Sequence, residues 1–497
     1  MTELNLSHLT LPTPERRVYC NRTLNLRSIR AIGFDMDYTL IHYKSAEWEL
    51  QAYAHMQRRL AQKGWPVEHL SFDSELVSLG IILDIEHGNL VKANRFGFVK
   101  KAVHGTRVMG FDEVRALYAQ EIIDLSMPRW VFIHTLFGLS EACMYAQAVD
   151  LIDEGKLPPA LGYQELYPKI RASLDEAHME GQLKAHVIAE PERYVELDPE
   201  LPLALLDLKH AGKRLMLITN SEWHYANAMM AYAFDAFLPG EMTWRDLFDL
   251  TIVRSMKPGF FTGAFPFLEL VDEAREHLVI AQNQLKLGGV YVGGNAPAVE
   301  RFLGLSGEQI LYVGDHIYAD VHVSKDLMRW RTALVLRDLE KEIVSLSAFA
   351  EAQVALDALM EEKELLEHRF SVARLTLQRI EKGYGPELSV TPSARDLRDT
   401  MQQLRARLVE LDAEVEPLVR EATTLVHPLW GLLLRAGNDK SHLARQIERS
   451  ADVYMSRVSN LLSQTPFVYL RAPRGSLPHD PIAGAHAGPD SHVDGWC

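Results

Sequence analysis

The sequence predicts an α/β protein: a doubly wound parallel-sheet core, with a large cap inserted after the first core strand and a helical extension at the carboxyl end. Three observations predict this. Short apolar segments, typical of buried strands, alternate with stretches of helical periodicity over residues 31–336. Polar residues that can carry chemistry follow several of these segments. From about Leu339, the composition changes to long segments rich in Glu, Leu, Arg and Ala.

The first predicted strand of the core is Ala31–Phe34, and Asp35 and Asp37 follow it directly. Because side chains alternate along an extended chain, both carboxylates point to the same side, past the carboxyl end of the strand. Two carboxylates so close together repel each other, so they require a proton or a cation. A metal ion satisfies this requirement, although an acidic calcium-binding or surface loop fits these residues alone equally well.

A cap is predicted because the interval from Asp37 to the next core strand is far longer than one crossover helix requires. It contains a predicted hairpin over residues 80–105, with a turn at 87–89, and predicted helices over 45–63, 139–154 and 167–180.

Four further strands complete the predicted core, at residues 214–218, 250–253, 310–313 and 332–336. Thr219, Lys257 and Asp315 follow three of them. Each has an ordinary alternative interpretation, such as a helix cap or a surface lysine. Their common position at strand ends favours one shared site.

The carboxyl-terminal part predicts two long helices, over 339–382 and 394–424, that form a hairpin for packing or oligomer contact. A solvated pair of charged helices is the alternative. A third helical segment is predicted over 440–462, and disorder from 474. The predicted domains are the core (1–44 and 186–340), the cap (45–185), the hairpin (341–428), a helical segment associated with the core (429–473) and the tail (474–497).

Composition restricts the classes of function. The net charge of −15 argues against non-specific nucleic-acid binding. The three cysteines, Cys20, Cys143 and Cys497, have no CxxC spacing and indicate free thiols in a reducing compartment. No signal sequence or long apolar run is found, so we expect a cytoplasmic protein with no membrane partner.

Several motifs carry a family resemblance. DxDxT at residues 35–39, ITNS at 218–221, Lys257-Pro258 and GDHIYAD at 314–320 resemble the four motifs of haloacid-dehalogenase phosphatases. Together with YVGGN at 291–295, they resemble the cytosolic purine 5'-nucleotidases that prefer IMP and GMP, over residues 25–340 and 429–471. The resemblance implies Mg²⁺-dependent hydrolysis of purine nucleoside 5'-monophosphates through an aspartyl-phosphate, with phosphoryl transfer to nucleosides as a side reaction. It also implies a homo-oligomer, a dimer or tetramer.

The same resemblance assigns catalytic roles. Asp35 is the expected nucleophile, and Asp37 is the acid that protonates the leaving oxygen and then activates water. Thr219 and Asn220 would bind the phosphoryl group, and Lys257 would screen the nucleophile from phosphate. The expected ligands of Mg²⁺ are Asp35, the backbone carbonyl of Asp37 and Asp315, while Asp320 would bind the ion through water or hold Lys257.

The resemblance also assigns substrate residues in the cap. Phe137 matches the aromatic that stacks on the purine, and the remaining matches are Arg171, Asp175, His178 and Lys184. Spacings of four and seven residues place Arg171, Asp175 and His178 on one helix face. A guanidinium and a carboxylate there could contact a 6-oxo purine and would be mispaired with adenine. An intrahelical salt bridge beside a surface His is the alternative.

Some residues depart from the family pattern. His134 and Gly138 stand where asparagines are expected, and Met179 where a tyrosine is expected. A phosphatase or phosphotransferase for another phosphomonoester is therefore the alternative function, and a non-catalytic helical scaffold is a further one. The resemblance extends to a nucleotide effector site with Tyr318, Gln446 and Arg449, weakened because Asp326 replaces a lysine.

Overall fold

The computed structural model describes residues 12–179, 182–281, 285–386 and 392–473. The tail predicted to be disordered lies outside the described residues. The strands are β1 Tyr19–Cys20, β2 Leu24–Asn25, β3 Ala31–Phe34, β4 His42–Tyr43, β5 Ile82–Asp84, β6 Asn89–Ala93, β7 Val99–His104, β8 Arg107–Val108, β9 Trp130–Phe132, β10 Val195–Glu196, β11 Arg214–Ile218, β12 Leu250–Val253, β13 Phe267–Asp272, β14 His277–Ile280, β15 Gly289–Gly293, β16 Ile310–Gly314, β17 Arg331–Val335, β18 Arg435–Ala436, β19 Asp439–Lys440, β20 Val453–Met455 and β21 Tyr469–Leu470.

The α-helices are α1 Ser45–Gln62, α2 Phe111–Tyr118, α3 Leu139–Asp153, α4 Tyr163–Met179, α5 Gln182–Ala189, α6 Pro191–Tyr194, α7 Leu201–His210, α8 Trp223–Phe234, α9 Gly259–Thr262, α10 Ala296–Leu303, α11 Val323–Met328, α12 Leu339–Ala348, α13 Ala350–Lys382, α14 Ala394–Ala422 and α15 His442–Ser450. A π-helix, Ile317–His322, follows β16.

The core is a ten-stranded sheet in the order β1-β20-β17-β16-β3-β11-β12-β15-β13-β14. From β20 to β15 all neighbours are parallel, and antiparallel strands form both edges. The buried strand β3 lies between β11 and β16, so the chain winds away from it in both directions. The predicted doubly wound α/β class is confirmed. The order in which the chain adds strands to the sheet reverses at β3, and sheets of this class form their binding sites at such a point.

The cap is inserted between β4 and β10, which pair antiparallel at its base through His42 with Glu196 and Tyr43 with Val195. It contains the five-stranded antiparallel sheet β8-β7-β6-β5-β9 and helices α1 to α6. The predicted hairpin at 80–105 is confirmed as β5 and β6, and β7 extends it. The chain returns to the core at β10, later than the boundary at 186 that the sequence predicts.

Two predictions for the carboxyl-terminal part are wrong. The segment predicted as one helix over 440–462 has an α-helix only in α15, followed by β20 and a 3-10 helix at Val458–Ser463, because apolar Val453–Met455 pairs in parallel with β17 and extends the core sheet. The predicted helix over 339–382 is broken at the buried Phe349 into α12 and α13, with a 63° bend.

The helical hairpin proper consists of α13 and α14, which pack through a short apolar seam that includes Leu356, Leu411 and Val415. Among the described residues, no single helix is long and apolar enough to cross a membrane, although the bent pair α12 and α13 passes on length and composition taken together.

Candidate active site

The side chains predicted to act together lie at the carboxyl ends of β3, β11, β12 and β16. Asp35 leaves β3 with its backbone N–H donating to the carbonyl of Val313 in β16, 2.9 Å away. Parallel register between β3, β11 and β16 aligns the residues that follow each strand. The structure therefore brings motifs that are distant in sequence to one edge of the sheet.

Lys257 is the buried cation of this edge, with 2% of its side chain exposed. Its Nζ lies 2.7 Å from Asp35 Oδ1 and 2.8 Å from Asp320 Oδ1, and it donates to the Tyr312 hydroxyl at 2.9 Å. Burial opposes its charge, but Asp320 and Asp35 raise the pKa of Lys257 well above its usual value. Lys257 is therefore a fixed positive charge beside the expected nucleophile.

Three carboxylates cluster around this lysine. Asp35, Asp315 and Asp320 each place a carboxylate oxygen within 4.8 Å of the others. Burial, with Asp320 and Asp37 adding to it against Lys257, raises the pKa of Asp35 to about 7. Burial and the carboxylates of Asp35 and Asp320 raise the pKa of Asp315 well above its usual value. One lysine does not balance one buried and two partly buried acids, and an all-oxygen donor set of this kind fits Mg²⁺.

Asp37 is held apart from that cluster. Its Oδ1 accepts a hydrogen bond from the Tyr43 hydroxyl at 2.5 Å and its Oδ2 accepts one from Ser221 Oγ at 2.6 Å. Because the single Tyr43 proton points to Asp37, Tyr225 donates to Tyr43, 2.8 Å away. Two hydroxyl donors fix the carboxyl group in one orientation. Asp35 and Asp37 thus have different surroundings, as an acid paired with a nucleophile requires.

Thr219 and Asn220, which follow β11, make hydrogen bonds that connect the surroundings of Asp37 with those of Lys257. Thr219 is fully buried, and its Oγ1 accepts from the Ser221 N–H at 3.0 Å, so its own hydroxyl proton is left to donate. The Asn220 side chain accepts from the Lys257 N–H at 2.7 Å and from Ser255 Oγ at 2.9 Å, and it donates to the Lys257 carbonyl at 3.1 Å. In this structure Asn220 therefore positions Lys257.

Lys184 and Phe137 are two of the cap residues that reach the core edge. Lys184, on α5, donates to Ser221 Oγ at 3.1 Å, with its Nζ 4.7 Å from the Tyr225 ring centroid. Phe137, in the cap, lies edge-on against Tyr38, with ring centroids 4.6 Å apart. Tyr38 directly follows Asp37 in the chain. The expected base-stacking aromatic therefore contacts the segment that carries the expected acid.

Arg171 makes two ion pairs. Its Nη1 lies 2.8 Å from Glu141 Oε2, and its Nε lies 3.2 Å from Asp175 Oδ1. Glu141 is 1% exposed, whereas Arg171 and Asp175 are about half exposed. The intrahelical bridge that the alternative interpretation expects is formed, and Glu141 anchors the same guanidinium from α3. His178 belongs to α4, but its side chain lies outside the described residues, as does that of Met179.

The residues expected at an effector site lie on two elements that pack together, the π-helix and α15. Tyr318 is exposed on the π-helix. Gln446 and Arg449 lie on α15, and the Arg449 carbonyl accepts from Arg22 at 2.7 Å. Asp326 lies 3.5 Å from His322 Nδ1 instead of supplying a positive charge.

Sequence reasoning missed four residues that the structure places at this edge, Tyr43, Ser221, Tyr225 and Tyr312, and it missed Glu141, which pairs with Arg171 in the cap. Ser221 carried a signal, since it follows Thr219 by two residues and an extended chain points both to one side. Tyr43 and Tyr225 carried none, because their contacts depend on how the base of the cap folds back onto the core.

A model of the 5' nucleotidase family matches residues 18–482. The chain belongs to the 5' nucleotidase family. A 5'-nucleotidase domain-containing protein of Dictyostelium discoideum is 26% identical over 486 residues, which cover 96% of this chain and 77% of that protein. Membership of this family makes the protein a phosphoric monoester hydrolase, for which a nucleotide is the expected class of substrate.

Two solved structures were also found to be similar to this 5' nucleotidase. A β-phosphoglucomutase of a hyperthermophilic Pyrococcus aligns over 62% of this chain and 86% of its own, with 10% identity and a TM-score of 0.29. A haloacid-dehalogenase phosphatase of Thermococcus onnurineus aligns over 62% and 87%, with 14% identity and a TM-score of 0.23.

Proposed function

We propose that this protein is a Mg²⁺-dependent 5'-nucleotidase that hydrolyses purine nucleoside 5'-monophosphates with a 6-oxo base, IMP and GMP, and that also transfers the phosphoryl group to nucleosides. The observation that carries the proposal is the contact between Phe137 and Tyr38. This contact supports the assignment of Phe137 as the base-stacking aromatic, because Tyr38 belongs to the motif that contains Asp35 and Asp37. A phosphomonoester with a stacked base would span the two.

The reaction has two steps. A carboxylate oxygen of Asp35 attacks phosphorus while the bond to the 5'-oxygen breaks, and Asp37 gives its proton to that oxygen. Water then attacks the phosphorus of the aspartyl-phosphate, Asp37 takes its proton, and the carboxylate of Asp35 leaves. A nucleoside 5'-hydroxyl in place of water gives phosphoryl transfer.

Other groups of the chain hold charge and position. Lys257 neutralises the nucleophile and the approaching phosphoryl oxygens, and the Thr219 hydroxyl and Lys184 are assigned to phosphate oxygens, which their positions beside Ser221 support. Asp35, Asp315 and Asp320 would hold Mg²⁺, which would supply Lewis-acid stabilisation of the phosphoryl group. Phosphatases of this superfamily generally use a divalent metal, usually Mg²⁺.

Recognition of the base is assigned to Phe137, Arg171 and Asp175. A 6-oxo purine offers an acceptor to the guanidinium and an N1–H donor to the carboxylate. Adenine offers the reverse at position 6 and no N1 hydrogen, so both charged groups would lose their partners. The intrahelical bridge of Arg171 and Asp175 keeps the two groups paired until a base inserts.

The test is phosphate release from a panel of nucleoside monophosphates and sugar phosphates, with Mg²⁺ or with EDTA. Metal-dependent preference for IMP and GMP over AMP and pyrimidine nucleotides is expected. Arg171→Gln should lower kcat/KM for IMP by roughly 10- to 100-fold without affecting p-nitrophenyl phosphate. Lys169→Gln, which removes an exposed charge from the same helix, is the matched control. Equal turnover of AMP and IMP would contradict the base assignment.

A second candidate is a phosphatase or phosphotransferase for another phosphomonoester. It is favoured by His134 and Gly138 beside Phe137, and by the ion pair that already occupies Arg171 and Asp175. Faster turnover of a sugar phosphate than of any nucleotide would support it.

A further inference from the structure

One contact joins the cap directly to the loop that carries the expected metal ligands. His134 follows β9 in the cap, and its Nε2 lies 3.0 Å from Nε2 of His316, the residue after Asp315. The two rings are nearly perpendicular, with centroids 4.3 Å apart and an interplanar angle of 79°. Neither residue belongs to the set assigned above to substrate or metal.

The hydrogen bonds around the two rings fix their proton positions. His316 Nδ1 lies 2.9 Å from the Ala319 N–H, so it accepts and the ring proton is on Nε2. His134 Nδ1 lies 2.8 Å from the Phe132 carbonyl, which only accepts, so this nitrogen carries the proton and Nε2 accepts. His316 therefore donates to His134, and each of the four ring nitrogens has one partner.

A continuous set of polar contacts runs from His316 to the nucleophile. The His316 backbone N–H donates to Asp320 Oδ2 at 3.2 Å, and Asp320 Oδ1 pairs with Lys257, which pairs with Asp35. His316 also begins the π-helix, whose first turn its ring caps through Ala319. A π-helix is an uncommon backbone form that needs support from its surroundings.

We propose that His134 is a positioning residue: it holds His316 in this orientation, and thereby holds the Asp315 to Asp320 loop where its carboxylates can bind Mg²⁺ and Lys257. His134 touches no reacting atom and acts through His316. Phe137 lies three residues on in the same cap segment and contacts Tyr38, so this segment touches both the Asp35 to Thr39 motif and the Asp315 to Asp320 loop. The inference rests on the Mg²⁺ site of the proposed function and not on its purine preference.

The test compares two substitutions that each remove an imidazole packed against Phe132. His134→Ala removes the ring stacked on Phe132, and His442→Ala removes the ring that meets it edge-on from α15. Of the two rings, His134 is the one that hydrogen-bonds to the Asp315 to Asp320 loop, through His316. His134→Gln, whose amide oxygen can accept from His316, is the conservative variant.

Mg²⁺ binding to the full-length protein is measured by calorimetry, and kcat and KM are measured with p-nitrophenyl phosphate and with IMP. His134→Ala is expected to weaken Mg²⁺ binding about 10-fold and to lower kcat for both substrates with little change in KM. His134→Gln should recover part of the loss, and His442→Ala should bind Mg²⁺ as the wild type does.

Mg²⁺ affinity and kcat unchanged in His134→Ala, with a lower melting temperature alone, would show a packing role and overturn the proposal. The same loss of Mg²⁺ affinity in His442→Ala would also overturn it, as would a wild-type protein that binds no Mg²⁺. If the wild type binds Mg²⁺ and hydrolyses p-nitrophenyl phosphate but not IMP, the purine assignment fails while the result for His134 stands.

Discussion

The catalytic edge and the helical hairpin use the same charged residue types under opposite conditions. At the edge, Lys257 and Asp320 are almost completely buried and lie within 2.8 Å of each other. On the hairpin, Arg407 pairs with Glu362 and Glu414 at 3.0 and 2.8 Å, with all three side chains more than a third exposed. Distances are alike, but water screens the second set and not the first. Burial, and not the distance between partners, therefore decides how strongly an ion pair affects stability and reactivity.

The largest expected effect comes from the same substitution made in each region. Asp35→Asn keeps the side-chain shape but removes the nucleophile, so kcat should fall by at least about 1,000-fold, measured as phosphate release. Asp412→Asn breaks the hairpin pair with Lys363 and should leave kcat unchanged. Retained turnover in Asp35→Asn with a normal fold would refute the role of Asp35.

Next in size is removal of the buried cation. Lys257→Met leaves Asp35 and Asp320 buried without their partner, so kcat should fall roughly 100- to 1,000-fold. Unfolding free energy in EDTA should fall by about 3–5 kcal/mol, measured by urea titration. Added Mg²⁺ should recover part of the stability because it supplies positive charge to the same carboxylates. Equal stability with and without Mg²⁺ would contradict this account.

A smaller effect concerns pH and a buried histidine distant from the carboxylates. Burial, with Arg445 adding to it, lowers the pKa of His442 to about 4 from a usual value of 6.5. The unfolded chain therefore binds a proton that the folded chain does not, and stability is lost as the pH falls from 6.5 towards 4. Between pH 7 and 5, the loss should be about 2 kcal/mol smaller in His442→Leu. An unchanged difference in unfolding free energy between the two pH values would exclude this contribution.

The smallest effect is expected on the hairpin surface. Arg407→Ala removes three exposed ion pairs and should shift the melting temperature by no more than about 2 °C, measured by calorimetry. Leu411→Ala, on the same helix but fully buried, should cost about 2–5 kcal/mol. A larger loss for Arg407 than for Leu411 would reverse the conclusion drawn from burial.

The core strands and the order of the motifs could be predicted from the sequence because a polar or charged residue follows several of the apolar segments. Asp35 after Phe34 is an example. The break at Phe349 and the strand at Val453–Met455 could not, since both depend on partners distant in sequence. At the site, Asp37 was predicted but its hydroxyl partner Tyr43 was not, because the base of the cap brings them together. Local sequence patterns therefore predict most helices and strands, whereas contacts with distant residues determine the elements that were predicted wrongly.

The pairing of β4 with β10 has a consequence for how such proteins diversify. Because the chain enters and leaves the cap through two adjacent, hydrogen-bonded strands, a change of length elsewhere in the cap leaves the spacing of these two entry points unchanged. Cap residues that contact the core do not share this freedom. A change at His134 would reach the Asp315 to Asp320 loop through His316, so this position of the cap is tied to the chemistry of the core.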